Sequence, residues 1–205
     1  MSDKPNNTHF GGVFYINLER REDRRVEIEK ELEGAGLQFE RFNAFDRKPG
    51  IVGCGLSHLA VLKEARDRGL PNVLIFEDDF EFLVNKEEFW TKINTFFDMR
   101  IPYDVLMFSY NIESSTPFND LVCIVGAATT ASAYVVNSYF YDALIELYEE
   151  NFPLLESTGK HWIYANDQIW KKLQPKARWY AFNTRLGRQR GSYSDNSNIY
   201  IFSGM

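Results

Sequence analysis

The sequence predicts an α/β fold with a mostly parallel central sheet flanked by helices and an irregular C-terminal tail. Three observations carry this. Val73 to Phe80 reads VLIFEDDF, an apolar run long enough for a strand buried on both faces, ended by Glu77, Asp78 and Asp79. The chain opens in the same style, with the strand-like Val13 to Leu18 (VFYINL) followed by a charged, helix-like stretch and a glycine stop. Strand-like and helix-like segments then alternate through the first half, the pattern of parallel strands joined by crossover helices.

Size and composition agree. The 205 residues suit one domain, with residues 1–10 a loose polar arm and 183–205 a polar tail that closes over a site. A 44% hydrophobic and 25% charged content is that of a water-soluble globular chain, and a 16% aromatic share suggests ring-lined surfaces as well as core. The net charge of −6 argues against nonspecific nucleic-acid binding, which needs a basic face, and confines any phosphate contact to a local site. Cys54 and Cys123 stand far apart outside any CxxC pattern and read as reduced, buried thiols. No window approaches a transmembrane span and the N-terminus lacks an apolar signal core, so the chain reads as cytoplasmic.

In order, Glu19 to Glu33 reads as a charged surface helix closed by Gly34 and Gly36, and Gln38 to Asn43 as a second strand. Asp46 to Gly50 is a loop. Gly53-Cys54-Gly55 leads into a helix over Leu56 to Arg68, whose apolar stripe ends at Gly69. After the acidic strand, Phe82 to Phe97 predicts a helix and Tyr103 to Phe108 a buried strand. Asn111 to Asp120 is expected as a polar loop, Leu121 to Val125 and Thr129 to Val136 as strands, and Tyr139 to Glu150 as a helix capped by Asn137 or Ser138. A helix from Trp162 or Tyr164 to Leu173 and a strand over Ala177 to Phe182 precede the tail. Beyond residue 183 there is no periodicity.

In open α/β sheets ligands gather beyond the carboxyl ends of the strands, so the EDD triplet marks a candidate site. Three adjacent carboxylates repel, and a divalent cation would relieve that repulsion; a solvated strand end or a helix start would tolerate the same charges. At the first strand end, NLERREDRR (Asn17 to Arg25) sets Arg20 with Arg24 and Arg21 with Arg25 at i,i+4, suiting a diphosphate, while Arg25 reads as paired with neighbouring acids. GCGLSH (Gly53 to His58) offers two glycines, a hydroxyl and an imidazole at a helix start, either an anion cradle or a cap with a structural histidine. Asp167 and Asp195 read singly as a cap and a solvated acid. GxGxxG after the first strand, GxxxxGK[ST] and GxSxG are all absent, which removes the dinucleotide, P-loop and serine-hydrolase loops.

Taken together, YINLERREDRR, GCGLSH, LIFEDDF, SAYVV (Ser132 to Val136) and RGSYSDN (Arg190 to Asn196) resemble, in order, glycosyltransferase family 25, which includes lipopolysaccharide-type sugar transferases and collagen galactosyltransferases. The resemblance implies a GT-A-like nucleotide-binding fold, a nucleotide-sugar donor such as a UDP-hexose, a glycan, glycoconjugate or protein hydroxyl as acceptor, and manganese, or else magnesium, as cofactor. It implies Asp79 as the direct metal ligand, with Asp78 and Asp195 beside it and His161 as the substitute for Asp195. Asn17, Arg20, Arg24, Ser57, His58, Glu77, Asp78, Gln189 and Ser194 would hold the donor, and Asp167 would be the base of an inverting transfer. A magnesium-binding phosphoacceptor module resembling a receiver domain, and a catalytically silent carbohydrate-binding relative, are the alternatives.

Overall fold

The computed structural model describes residues 9–194 and 199–201, with side chains through residue 191. β1 (Gly12–Asn17) is followed by α1 (Glu22–Ala35) and β2 (Glu40–Asn43). α1 stops at Gly36, whose φ of 73° gives the left-handed cap that glycine adopts without a steric penalty. α2 (Gly50–Asp67) leads to β3 (Asn72–Glu77), and after a turn at Asp78 and Asp79 the short β4 (Phe80–Phe82) precedes α3 (Lys86–Asp98). β5 (Val105–Met107), β6 (Asn111–Pro117), β7 (Val122–Thr129) and β8 (Ala133–Asn137) come next, then α4 (Tyr141–Thr158), α5 (His161–Tyr164), α6 (Asn166–Ile169) and β9 (Trp179–Phe182). β10 (Gly187–Gln189), β11 (Ser192–Ser194) and β12 (Ile199–Ile201) close the described chain.

Eight strands form one sheet in the order β2-β1-β3-β8-β5-β9-β7-β6. β1, β2, β3, β5, β9 and β6 run one way; β8 and β7 run against them. The sheet is thus mostly parallel in direction, with β8 inserted antiparallel between β3 and β5. The period of two along β3 explains its continuous hydrophobicity: Val73 and Ile75 enter the core shared with α2 and α4, Leu74 and Phe76 the one shared with α1 and α3.

Five expectations about elements are corrected. α2 starts at Gly50, after Pro49, so GCGLSH lies inside the helix and its amides are engaged there; it offers no free helix start to an anion. Its glycines serve close packing: a Cβ on Gly53 would lie 2.1 Å from the Phe45 carbonyl oxygen, and one on Gly55 2.9 Å from the Phe152 ring. α3 starts at Lys86 because Asn85 caps it, accepting the Glu88 N–H at 2.9 Å, which leaves Phe80–Phe82 free to form β4. Asn111–Pro117 is the edge strand β6; its side chains are all exposed, so hydrophobic pattern carries no trace of its pairing with β7. α4 continues through Pro153, because burial of Leu147, Tyr148, Phe152 and Leu155 outweighs the one hydrogen bond that proline removes. Between residues 161 and 176 the chain forms α5, α6 and two single turns instead of one helix.

Candidate functional site

The sheet delivers acids and their partners to one rim. The carboxyl ends of β1 and β3 lie side by side, with Ile16 opposite Glu77 in parallel register, so Asn17 and the acidic triplet emerge together. Asn17 is buried and fully used. Its amide nitrogen donates to Asp78 Oδ2 at 2.8 Å and to the Arg21 carbonyl at 3.0 Å, while its oxygen accepts from Arg41 Nε at 3.1 Å. Arg24 reaches back from the first turn of α1, with Nη1 2.9 Å from Asp78 Oδ1 and 3.5 Å from Asp79 Oδ2. Both Asp78 oxygens are therefore engaged by the protein itself.

Glu77, two positions beyond Ile75, comes out on the α2 side of the sheet. There His58 Nε2 lies 3.0 Å from Glu77 Oε1, and Cys54, one helical turn earlier, places Sγ 3.4 Å from the same oxygen. The other oxygen accepts from Gln189 Nε2 at 3.1 Å. Behind the imidazole, His58 Nδ1 is 2.8 Å from the Tyr134 hydroxyl, and both rings are fully buried.

Asp79 is the least satisfied member: among the described residues its Oδ1 is buried with no hydrogen-bond partner. Burial, then the Glu77 charge beside it, pushes its carboxyl up to about 7. Burial also raises Asp78, against the pull of Arg24. Glu77 goes the other way: burial would raise it, but the His58 hydrogen bond and charge hold it below the ordinary value. A buried carboxylate oxygen lacking a donor, next to two further acids, is a hard oxygen set that suits a divalent cation.

Asp167, on α6, is carried to the same neighbourhood. Its Oδ2 accepts the Thr130 N–H at 3.1 Å, and burial raises its pKa with the Glu77 charge adding to the effect. Thr130 has φ +77°, a left-handed backbone that a β-branched residue adopts at a cost of about 1–3 kcal/mol, and strain of this kind concentrates near sites.

The tail is built in as well. β10 pairs antiparallel with β4, Gln189 opposite Phe80, and the Arg190 N–H donates to the Asp79 carbonyl. The Arg190 guanidinium ion-pairs with Glu27 of α1, with Glu31 and Glu81 3.5 Å away.

Of the residues expected in the site, Asn17, Arg24, His58, Glu77, Asp78, Asp79 and Gln189 are joined by direct contacts. Ser57 is spent internally, its hydroxyl donating to the Gly53 carbonyl at 2.7 Å and accepting the Phe45 N–H at 2.9 Å. Arg20 is half-exposed and pairs with Asp46 at 3.1 Å. Arg25 pairs with Glu29 at 2.9 Å, as its sequence neighbours suggested. His161 lies exposed at the start of α5, edge-on to Trp162. Asp195 lies outside the described residues, as does the side chain of Ser194. Cys54, Tyr134, Arg41 and Arg190 were not foreseen; Cys54 was legible as Cys-x3-His, one turn apart, once the helix was known to include it, whereas a tyrosine in an apolar strand carries no signal.

An α/β sheet of this order with acids beyond its carboxyl edge is a GT-A-like architecture. It is shared with the crystal structure of a glycosyltransferase involved in the glycosylation of the major capsid of PBCV-1: TM-score 0.56 and 11% identity, over 91% of this chain and 95% of that one. No protein-family model matches the chain. Curated relatives that it resembles over part of its length include glycosyltransferase 25 family members. Mouse procollagen galactosyltransferase 2 is 33% identical over 38% of this chain and 17% of that protein, and a glycosyltransferase 25 family member of Drosophila pseudoobscura pseudoobscura is 34% identical over 34% and 16%. The human inactive glycosyltransferase 25 family member 3 is 32% identical over 41% and 19%. The matched stretch thus spans less than a fifth of these relatives. No helix among the described residues is long and apolar enough to cross a membrane.

Proposed function

We propose that this chain is a metal-dependent, inverting glycosyltransferase that moves a hexose from a nucleotide sugar, UDP-hexose by first choice, to a hydroxyl of a saccharide, glycoconjugate or protein. The observation that carries the reading is the partnerless buried Oδ1 of Asp79 beside Glu77 and Asp78 at the carboxyl edge of the sheet. Asp79 would hold manganese or magnesium, with Glu77 and Asp78 around it. Bound there, the cation would offset the charge on the departing diphosphate.

The chain's own groups account for the rest. Asn17 and Arg24 fix Asp78, and His58 and Gln189 fix the two oxygens of Glu77, so the rim is preorganised before a donor arrives. Asp167 is the base. Its ionised form, made more basic by burial, takes the proton of the acceptor hydroxyl as that oxygen bonds to the anomeric carbon and the bond to the diphosphate breaks on the opposite face. The Thr130 N–H orients the carboxylate for this step.

A second reading has its own support. Both Asp78 oxygens are already engaged, and one human relative is named as inactive, so a silent relative that binds donor without turnover remains the alternative. Calorimetric titration of UDP with and without manganese, followed by UDP-hexose turnover, separates the two. Manganese-dependent binding with turnover supports the enzyme, binding without turnover the silent relative, and no binding under either condition refutes the donor site.

A further inference from the structure

We propose that Cys54, His58 and Glu77 form a binding site for a borderline-soft divalent cation of the zinc class, which shares Glu77 but no other ligand with the hard-cation position at Asp79. The two elements meet so that one sulfur, one nitrogen and one oxygen converge. Cys54 and His58 share a face of α2, Glu77 projects onto that face from the end of β3, and the three ligand atoms all lie within 4.8 Å of one another. Around a tetrahedral ion with ordinary zinc bond lengths such atoms stand about 3.4–3.6 Å apart. Here His58 Nε2 and Cys54 Sγ are 3.0 and 3.4 Å from Glu77 Oε1, so a small outward rotation of the carboxylate opens the ion's place.

The shell behind the imidazole has the form metal ligands use. Without an ion Nε2–H faces the Glu77 carboxylate; with an ion on Nε2 the ring proton sits on Nδ1 and donates to the Tyr134 hydroxyl 2.8 Å away, which would hold that tautomer and the ring, and both residues are fully buried. Cys54 and Glu77 are only partly buried, which leaves solvent a way to the cluster. A thiolate with an imidazole selects zinc or cobalt over manganese and magnesium, which prefer all-oxygen shells. On binding, the Cys54 thiol gives its proton to solvent as the sulfur–metal bond forms, with no change of oxidation state. The ion would staple α2 to β3. This site does not depend on sugar transfer.

The test uses the full chain, stripped of metal and kept reduced with a non-thiol reductant, titrated with cobalt(II). The expected result is a thiolate-to-cobalt charge-transfer band that saturates at one equivalent, disappears on adding zinc, and accompanies a rise in melting temperature. Cys54→Ala and, as a closer replacement, Cys54→Ser should lose the band and weaken cobalt binding at least tenfold, whereas Asp79→Asn should keep both. Cobalt binding without the band, a band that survives both Cys54 variants, or no cobalt binding by the wild-type chain would each overturn the proposal. A band lost in Asp79→Asn would overturn the claim that the two positions share no ligand but Glu77.

Discussion

Replacing Gly187 by alanine should loosen the candidate site without touching any of its polar groups. A Cβ on Gly187 would lie 2.1 and 2.2 Å from two atoms of the Phe80 ring, more than 1 Å inside ordinary contact, and 2.6 Å from the Glu81 carbonyl oxygen. Phe80 cannot retreat, because it is fully buried with its ring 4.9 Å from both Phe76 and Phe82. The short strand β10 must move instead. Overpacking of this kind costs about 1–3 kcal/mol, and for a chain of this length about 2 kcal/mol lowers the melting temperature by about 4–8 °C. Displacing β10 also withdraws Gln189 from Glu77 and Arg190 from the Asp79 carbonyl. A hydrogen bond to a charged group is worth about 1.5–3 kcal/mol, and a partly exposed one falls at the lower end. UDP binding in the presence of manganese should therefore weaken about tenfold. Thermal melting by circular dichroism and calorimetric titration measure the two effects. A variant with wild-type melting temperature and wild-type UDP affinity would show that β10 does not support the site.

Three further outcomes are expected. Asp79→Asn should remove manganese-dependent UDP binding while leaving the far-ultraviolet spectrum unchanged; binding that persists would end the role given to Asp79. Asp167→Asn should lower turnover by two or more orders of magnitude, about the contribution of a general base, with little change in donor affinity; an equal loss in both would reduce Asp167 to a helix-start acid. Glu29 is held below its usual pKa because hydrogen bonds from Tyr15 and Arg25 overcome the opposing effect of burial. It therefore stabilises the native state above the unfolded pKa and ceases to do so as the pH falls through the folded one. The stability gap between wild type and Glu29→Gln, read from urea melts, should be present at neutral pH and close below about pH 4; a gap that widened in acid would contradict this.

The sequence carried whatever depended on burial and on adjacency along the chain. VLIFEDD reads as a strand meeting a charge cluster because both faces of β3 are covered by helices and the acids follow at the rim. Where pairing involves exposed backbone, as in β6, or three residues held by a distant partner, as in β10, side-chain pattern has nothing to register. The boundary of α2 is not legible in the pattern because glycines usually break helices, and Gly53 and Gly55 are retained in this one for close contact with Phe45 and Phe152. Cys54 and His58 face Glu77 only because both lie on one continuous helix, and a helix start at Leu56 would separate them.

The pairing of Gln189 with Glu77 joins residues 112 apart, and that of Arg190 with Glu27 joins residues 163 apart. β9 itself sits between β5 and β7, so the sheet cannot close until residue 182 has arrived, and part of the rim's bracing comes from the residues after it. Long-range contacts of this kind form late and slowly. During synthesis the acids of β3 follow their partners Asn17, Arg24 and His58 and precede Gln189 and Arg190 by more than a hundred residues. A chain interrupted before residue 187 would carry all three acids without Gln189 and Arg190, and on the proposed function its UDP binding would report the loss of the β4–β10 pairing.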